Sequence, residues 1–232
     1  ETGYDILRAW VSRMVMLGIY ITDEVPFRDV VLHGLVNDPL GKKMSKSKGN
    51  VVDPLELVEE YGADAVRFAL VYGNATGNDQ ALSYPKLDSA RKFTNKLWNM
   101  ARFIEMKRPE GSTIELKSLK EIDPEHANDK AWLTKTDELV TEVSGYLDRY
   151  QFNLAAERLY EFAWHEFADS YIEDVKQRIT YNSYETLLSV YGSLLLLLHP
   201  LMPFVTEEIY QKLPGHGKSI MIHPWPQLAN GK

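Results

Sequence analysis

Apolar residues recur at helical spacing almost from the start of the chain. Ile6, Trp10, Met14 and Leu17 fall three or four positions apart, which predicts a helix over 4–18 after a turn at Gly3. The period then changes. Val30-Val31-Leu32 is a short β-branched run ending at His33-Gly34, the pattern of a buried parallel strand. A polar, glycine-bearing loop over 37–50 follows. Asp53-Pro54-Leu55-Glu56 supplies an N-cap, a proline in the first helical position and an acidic first turn, opening a helix that Gly62 closes. Asp64 is placed to cap a further helix over 65–72.

Beyond Tyr84-Pro85 the pattern becomes that of long helices. Over 86–107, Ala90, Phe93, Leu97, Ala101 and Ile104 share one face, leaving Arg91, Lys92, Asn95, Lys96 and Arg102 elsewhere on the cylinder. Residues 109–128 are polar and read as a connection. Helical periods resume over 129–150, 153–178, 184–199 and 203–213, and the short breaks between them imply an up-and-down bundle. The aromatic run Tyr160, Phe162, Trp164, Phe167 and Tyr171 is expected to pack that bundle, and Trp98 to lie nearer core than solvent. Residues 219–222, apolar after Ser219, suggest a last short strand. The fold class is therefore mainly α with a small α/β part. Residues 1–85 are expected to form the second half of a nucleotide-binding, Rossmann-like sheet domain, and residues 86–232 a helical domain.

Composition narrows the function classes. The 232 residues are 44% hydrophobic and 25% charged, ordinary for a globular chain. The longest apolar run, 194–198, is far short of the ~20 residues a bilayer crossing needs, so no membrane partner is expected. Zero cysteines exclude disulfides and Cys-ligated metal sites and suit a cytoplasmic setting. The opening Glu1-Thr2-Gly3 has neither an initiating Met nor a signal pattern, as expected of a chain that begins inside something longer. The net charge of −7 is unevenly spread: residues 86–108 carry seven Lys/Arg against Asp88 and Glu105, a local +5. A basic stripe on an acidic body can steer nucleic acid to one face, although a merely solvated helix face would look the same by charge alone.

The most informative stretch is Gly41-Lys42-Lys43-Met44-Ser45-Lys46-Ser47-Lys48-Gly49-Asn50, with four lysines in seven residues. Ammonium groups so close repel one another unless solvent or an anion intervenes. A triphosphate would supply that charge, with Ser hydroxyls and backbone N–H groups donating to phosphoryl oxygens. By composition alone, a flexible solvated loop is an equal alternative.

The order of residues points further. Lys43-Met44-Ser45-Lys46-Ser47 resembles the signature pentapeptide of class I aminoacyl-tRNA synthetases. Segments 2–7, 33–36, 49–54, 95–99 and 219–226 resemble the valine-type members of that family, with isoleucine-type members the nearest alternative. The resemblance implies a parent enzyme that activates valine with ATP, Mg2+ accompanying the nucleotide, and transfers it to tRNA(Val). It implies that Lys46 lies nearest the phosphates, that Lys43, Ser45 and Ser47 support them, and that Met44 is packed. Gly3 and Asp5 are implied to hold the ATP ribose, His33-Gly34 to end the strand beside the adenine, and Trp10 to line the amino-acid pocket. Arg91, Lys92, Asn95, Lys96 and Arg102 are implied to meet the phosphates of the tRNA anticodon stem and loop. No metal cage is apparent.

Two family features are absent from the 232 residues: the His-x-Gly-His element and the inserted editing domain. The C-terminal coiled-coil arm is not visible either. Both halves of the ATP site are needed to form valyl-adenylate, so the missing N-terminal catalytic half counts as an expected partner and this chain alone is expected to be inactive. A non-catalytic RNA-binding module that uses the lysine loop on phosphate backbones is the alternative from a different class.

Overall fold

A computed structural model describes residues 1–226. It divides into two compact units: residues 1–54 with 74–84, and residues 55–73 with 85–232. The chain leaves the first unit at Pro54, forms two helices that cluster with the bundle, and returns at Asn74. The pair over 54–71, expected to complete the loop-bearing part, thus packs with the helical one.

In the first unit, β1 (Thr2–Gly3) pairs in parallel with β2 (Leu32–His33), and β3 (Val36–Asn37) pairs in parallel with β4 (Gln80–Ala81). Parallel pairing of distant segments is the hallmark of an α/β sheet. The strand expected over 30–33 is only half as long, and Val30 is exposed. Tyr4–Ile6 forms a 3-10 turn and Leu7–Val11 a widened π-type turn before helix α1 (Ser12–Thr22). The expected helix is therefore present, but its first two turns are irregular. Ile6, Trp10, Met14, Leu17 and Ile21 are all exposed, so the apolar stripe that specifies the helix is left uncovered by the described residues.

The second unit contains α2 (Pro54–Tyr61), α3 (Ala63–Val71) and most of α4 (Tyr84–Met106). It continues with α5 (Ala127–Asp148), α6 (Phe152–Glu161), α7 (Ile172–Gln177), α8 (Tyr181–Leu198) and α9 (Pro203–Tyr210). A π-type stretch, Phe162–Tyr171, joins α6 to α7, so 152–177 is one continuous helical run. The α4 face bearing Ala90, Phe93, Leu97 and Ile104 is buried, as its spacing requires. Phe162, Phe167 and Tyr171 are fully buried, whereas Tyr160 and Trp164 are half-buried in a ladder with Phe68, Tyr72 and Phe93. Helix α8 is buried over nearly its whole length. It anchors α4 through the Tyr191 hydroxyl, which donates to the Leu97 carbonyl at 2.7 Å.

Two local expectations are corrected. Asp64 lies inside the first turn of α3, and its buried carboxylate instead accepts from the Phe204 and Val205 amides (3.2 and 2.6 Å), capping α9. The free N–H groups of a helix that begins with Met202-Pro203 need an external acceptor, and a distant carboxylate provides it. Residues 220–222 form a 3-10 turn, not a strand. Glu207 accepts from the Ser219 hydroxyl at 2.7 Å and the Ile220 amide at 3.2 Å, which curls the segment.

Candidate functional site

The lysine loop rises from β3 on a hairpin. Asn37 bridges Lys43 in antiparallel fashion, the Asp38 amide donates to the Lys42 carbonyl, and the Gly41 amide to the Asp38 carbonyl (both 2.9 Å). Asp38, only 6% exposed, turns its carboxylate inward: Oδ1 accepts from the Leu40 and Lys42 amides at 3.0 and 2.8 Å, and Oδ2 from the Asn50 side-chain amide at 2.8 Å. These hydrogen bonds, led by that from Asn50, hold the Asp38 carboxyl below its ordinary value. Asn50 in turn accepts from the Ser45 amide at 2.9 Å and donates more weakly to the Lys43 carbonyl at 3.3 Å. The two stems of the loop are joined through this pair.

Past the stems the backbone is exposed. Lys46–Lys48 makes a single 3-10 turn, closed by Gly49 at φ +65°, a left-handed conformation that a side chain would strain. The Lys46 and Lys48 ammonium groups have no hydrogen-bond or ion-pair partner among the described residues. Ser45 Oγ and Ser47 Oγ lie 3.2 Å apart, and the Met44 sulfur, half-buried, accepts from the Val52 amide at 3.5 Å.

The structure brings Gly3, Asp5, His33, Gly34 and Lys43 together. Lys43 Nζ lies 3.3 Å from Asp5 Oδ2. At Gly3 an added Cβ would stand 2.9 Å from Asp5 Oδ1 and 3.7 Å from the His33 ring. His33 pairs with Glu1 at 3.0 Å. At Gly34 a Cβ would fall 1.8 Å from the Asn78 carbonyl, so only glycine lets the returning segment 77–79 approach. Asp79 then fixes the turn after β2: Oδ1 accepts from the Leu35 amide at 2.7 Å and Oδ2 from the Tyr4 hydroxyl at 3.1 Å, which also raises the tyrosine pKa. Asp38, Asn50 and Asp79 are site-forming residues that sequence reasoning missed. The only local hint is that Asp and Asn favour turns whose backbone they can bond. Trp10 is 58% exposed, so the described residues do not enclose it in a pocket.

Within the helical unit, the basic positions of α4 divide into two sets. Arg91 is engaged by Asp88 at 3.1 Å and lies over the Tyr61 ring; Lys96 is engaged by Asp169 at 3.0 Å and lies over Trp164. Lys92, Asn95 and Arg102 are exposed without a side-chain partner among the described residues. At about 100° per residue, Arg91, Asn95 and Arg102 fall within about 40° of one another on the helix, with Lys92 farther round. Arg102 also borders a cavity of ≈ 270 Å³ with Trp98, Met106, Ile209 and Lys212.

Comparisons with known proteins find matches for both parts of the chain. Residues 1–83 match the family described as tRNA synthetases class I (I, L, M and V), and residues 129–232 the anticodon-binding domain of tRNA ligase. A valine–tRNA ligase of Carboxydothermus hydrogenoformans is 45% identical over 232 aligned residues, covering 97% of this chain. Those of Clostridium acetobutylicum and Thermotoga maritima are each 44% identical, covering 97% and 98%. The chain spans 26% of the length of each of these relatives. Among solved structures, a leucyl-tRNA synthetase ternary complex from Agrobacterium radiobacter K84 superposes with a TM-score of 0.78 at 23% identity, covering 98% of this chain and 28% of that one. Mycobacterium tuberculosis methionyl-tRNA synthetase in complex with methionyl-adenylate gives 0.67 at 25% identity, covering 99% and 48%. The small parallel-stranded part and the bundle are thus the Rossmann remnant and the helical domain expected. In one continuous chain, this protein joins a segment that matches the class I tRNA synthetase family, residues 1–83, to one that matches the anticodon-binding domain of tRNA ligase, residues 129–232.

Proposed function

We propose that this chain is the part of a valine–tRNA ligase that holds the phosphates of ATP and binds tRNA(Val), and that residues 1–85 and 86–232 divide those two tasks. The observation that carries the reading is the loop itself. Its stems are tied down by Asp38 and Asn50, while Lys46 and Lys48 at the tip have no counter-charge among the described residues. A cationic tip on a braced stem suits a polyanion that must be bound and released. In the reaction proposed, the valine carboxylate attacks the α-phosphorus of ATP, the bond to the β-phosphate oxygen breaks, and pyrophosphate leaves with the electron pair. Lys46, supported by Lys43, Ser45 and Ser47, would neutralise the charge that collects on the leaving group.

Asp5, with Gly3 beside it, is placed to accept from ribose hydroxyls; its pairing with Lys43 links the sugar end of the site to the phosphate end. His33 and Gly34 end β2 where the adenine would lie, and Trp10 is assigned to the valine pocket by resemblance alone. Mg2+ would ride on phosphate oxygens and water, because Asp38, the carboxylate within the loop, is already taken up by amide donors. The exposed Lys92, Asn95 and Arg102, with Arg91 and Lys96 as ion-paired flanks, would meet tRNA backbone by releasing counterions.

Binding measurements on Lys46→Ala test this reading. The change should weaken ATP at least tenfold and leave tRNA affinity within about twofold. Equal losses for both ligands would instead make the loop an RNA backbone patch.

A further inference from the structure

Resting on the proposed nucleotide role of the loop, we infer that Asp38 and Asn50 are positioning residues: together they form a polar clip that sets the geometry of the lysine loop, so that phosphate engages the 46–48 tip while the stems stay closed. Neither residue carries a positive charge to offer a phosphate. Asp38 is buried, and each oxygen of its carboxylate is turned onto loop amides or onto Asn50. Asn50 reaches both stems at once, taking the Ser45 amide and contacting the Lys43 carbonyl from a position five residues beyond Ser45. Removing the clip would free the Lys42, Lys43 and Ser45 backbone, whose carbonyls and amides determine where the neighbouring ammonium groups point.

The chemistry of the clip is directional. Asp38 can only accept and Asn50 must donate. In Asp38→Asn, the new amide of residue 38 would confront the Asn50 amide, donor against donor. In Asn50→Asp, two carboxylates would meet at the same 2.8 Å contact. Combining the two changes restores a donor opposite an acceptor with the polarity reversed, keeps the acceptor for the Leu40 and Lys42 amides, and keeps the one for Ser45. Only at the Lys43 carbonyl, 3.3 Å from the position of the former amide nitrogen, does an acceptor now face an acceptor. Rescue by the exchange shows that the two residues act through each other, and anion affinity read beside amide exchange separates positioning from a loop brace alone.

The test uses the chain as it stands. Hydrogen exchange at the Lys42 and Ser45 amides, and affinity for ATP and for inorganic tripolyphosphate, are measured for wild type, each single variant and the double variant. Each single variant should speed exchange at both amides by about tenfold or more and weaken tripolyphosphate by a comparable factor; the double variant should return to within about threefold of wild type. Wild-type exchange rates in either single variant, or a double variant no better than the singles, overturn the clip. A wild-type chain that binds neither anion, while the singles still loosen the stems and the double restores them, refutes the nucleotide reading and with it the positioning role, leaving a loop brace alone.

Discussion

Replacing Asp129 by alanine should be among the most damaging single changes in the helical unit. Asp129 sits in the first turn of α5 and is fully buried. Its Oδ1 accepts from the Tyr171 hydroxyl at 2.9 Å and from Arg178 Nη2 at 2.7 Å, and its Oδ2 from Arg178 Nη1 at 2.9 Å. Arg178 also donates through Nε to Asp174 at 2.7 Å, and Asn128 donates to the same oxygen. The carboxylates, Asp129 first, push the guanidinium pKa up, and burial followed by Asp129 pushes the Tyr171 phenol up. Truncation leaves a guanidinium that is 20% exposed facing a void and a phenol without an acceptor. Breaking a buried pair costs about 3–5 kcal/mol, and the orphaned hydroxyl adds part of another ~1–3 kcal/mol, so a loss of about 4 kcal/mol is expected. At about 2–4 °C per kcal/mol this lowers the melting temperature by about 8–16 °C. Near-ultraviolet circular dichroism during urea unfolding reads it locally, because Trp132 stacks on Tyr171 at 4.7 Å. Tyr171→Phe should cost only about 1 kcal/mol, and the apolar pair Asp129→Leu with Arg178→Met much less than Asp129→Ala alone. A loss below about 1 kcal/mol in Asp129→Ala would refute the reasoning.

Gly34→Ala should destabilise the loop-bearing unit by about 3 kcal/mol or more, since its Cβ would overlap the Asn78 carbonyl; proteolysis within 74–84 should rise sharply, with the bundle's own transition unmoved. His199 is partly buried beside Thr206, and burial lowers its pKa below the ordinary 6.5, against the opposing pull of Glu207 and Asp64. A depressed value means that the neutral ring is favoured on folding. The stability it contributes is therefore complete above pH 6.5 and is lost as pH falls through the lower folded value. Melting curves from pH 7.5 down to 5 should show this decline, and His199→Asn should flatten it.

The helices were legible because their signal is local. The buried face of α4, from Leu87 through Ile104, can be read directly from spacing, and α8 from its unbroken run of apolar residues. The strands were not, because two residues hold no period; Thr2–Gly3 and Val36–Asn37 exist only through partners about 30 and 44 positions away. Local rules misled where a distant group won. Asp64 carries a cap signature for α3 yet serves α9, and the apolar stretch after Ser219 is bent into a turn by Glu207. At the site, the order of lysines and serines marked the chemistry, while Asp38, Asn50 and Asp79 stayed hidden because they act on backbone two to 44 residues away.

The excursion of residues 55–73 makes the loop-bearing unit discontinuous. During synthesis, β3 must wait for β4, so this unit cannot close until residue 84 has left the ribosome, by which time both intervening helices have been made. Its two halves are spliced by a tether of fixed length, and no single cut releases it intact.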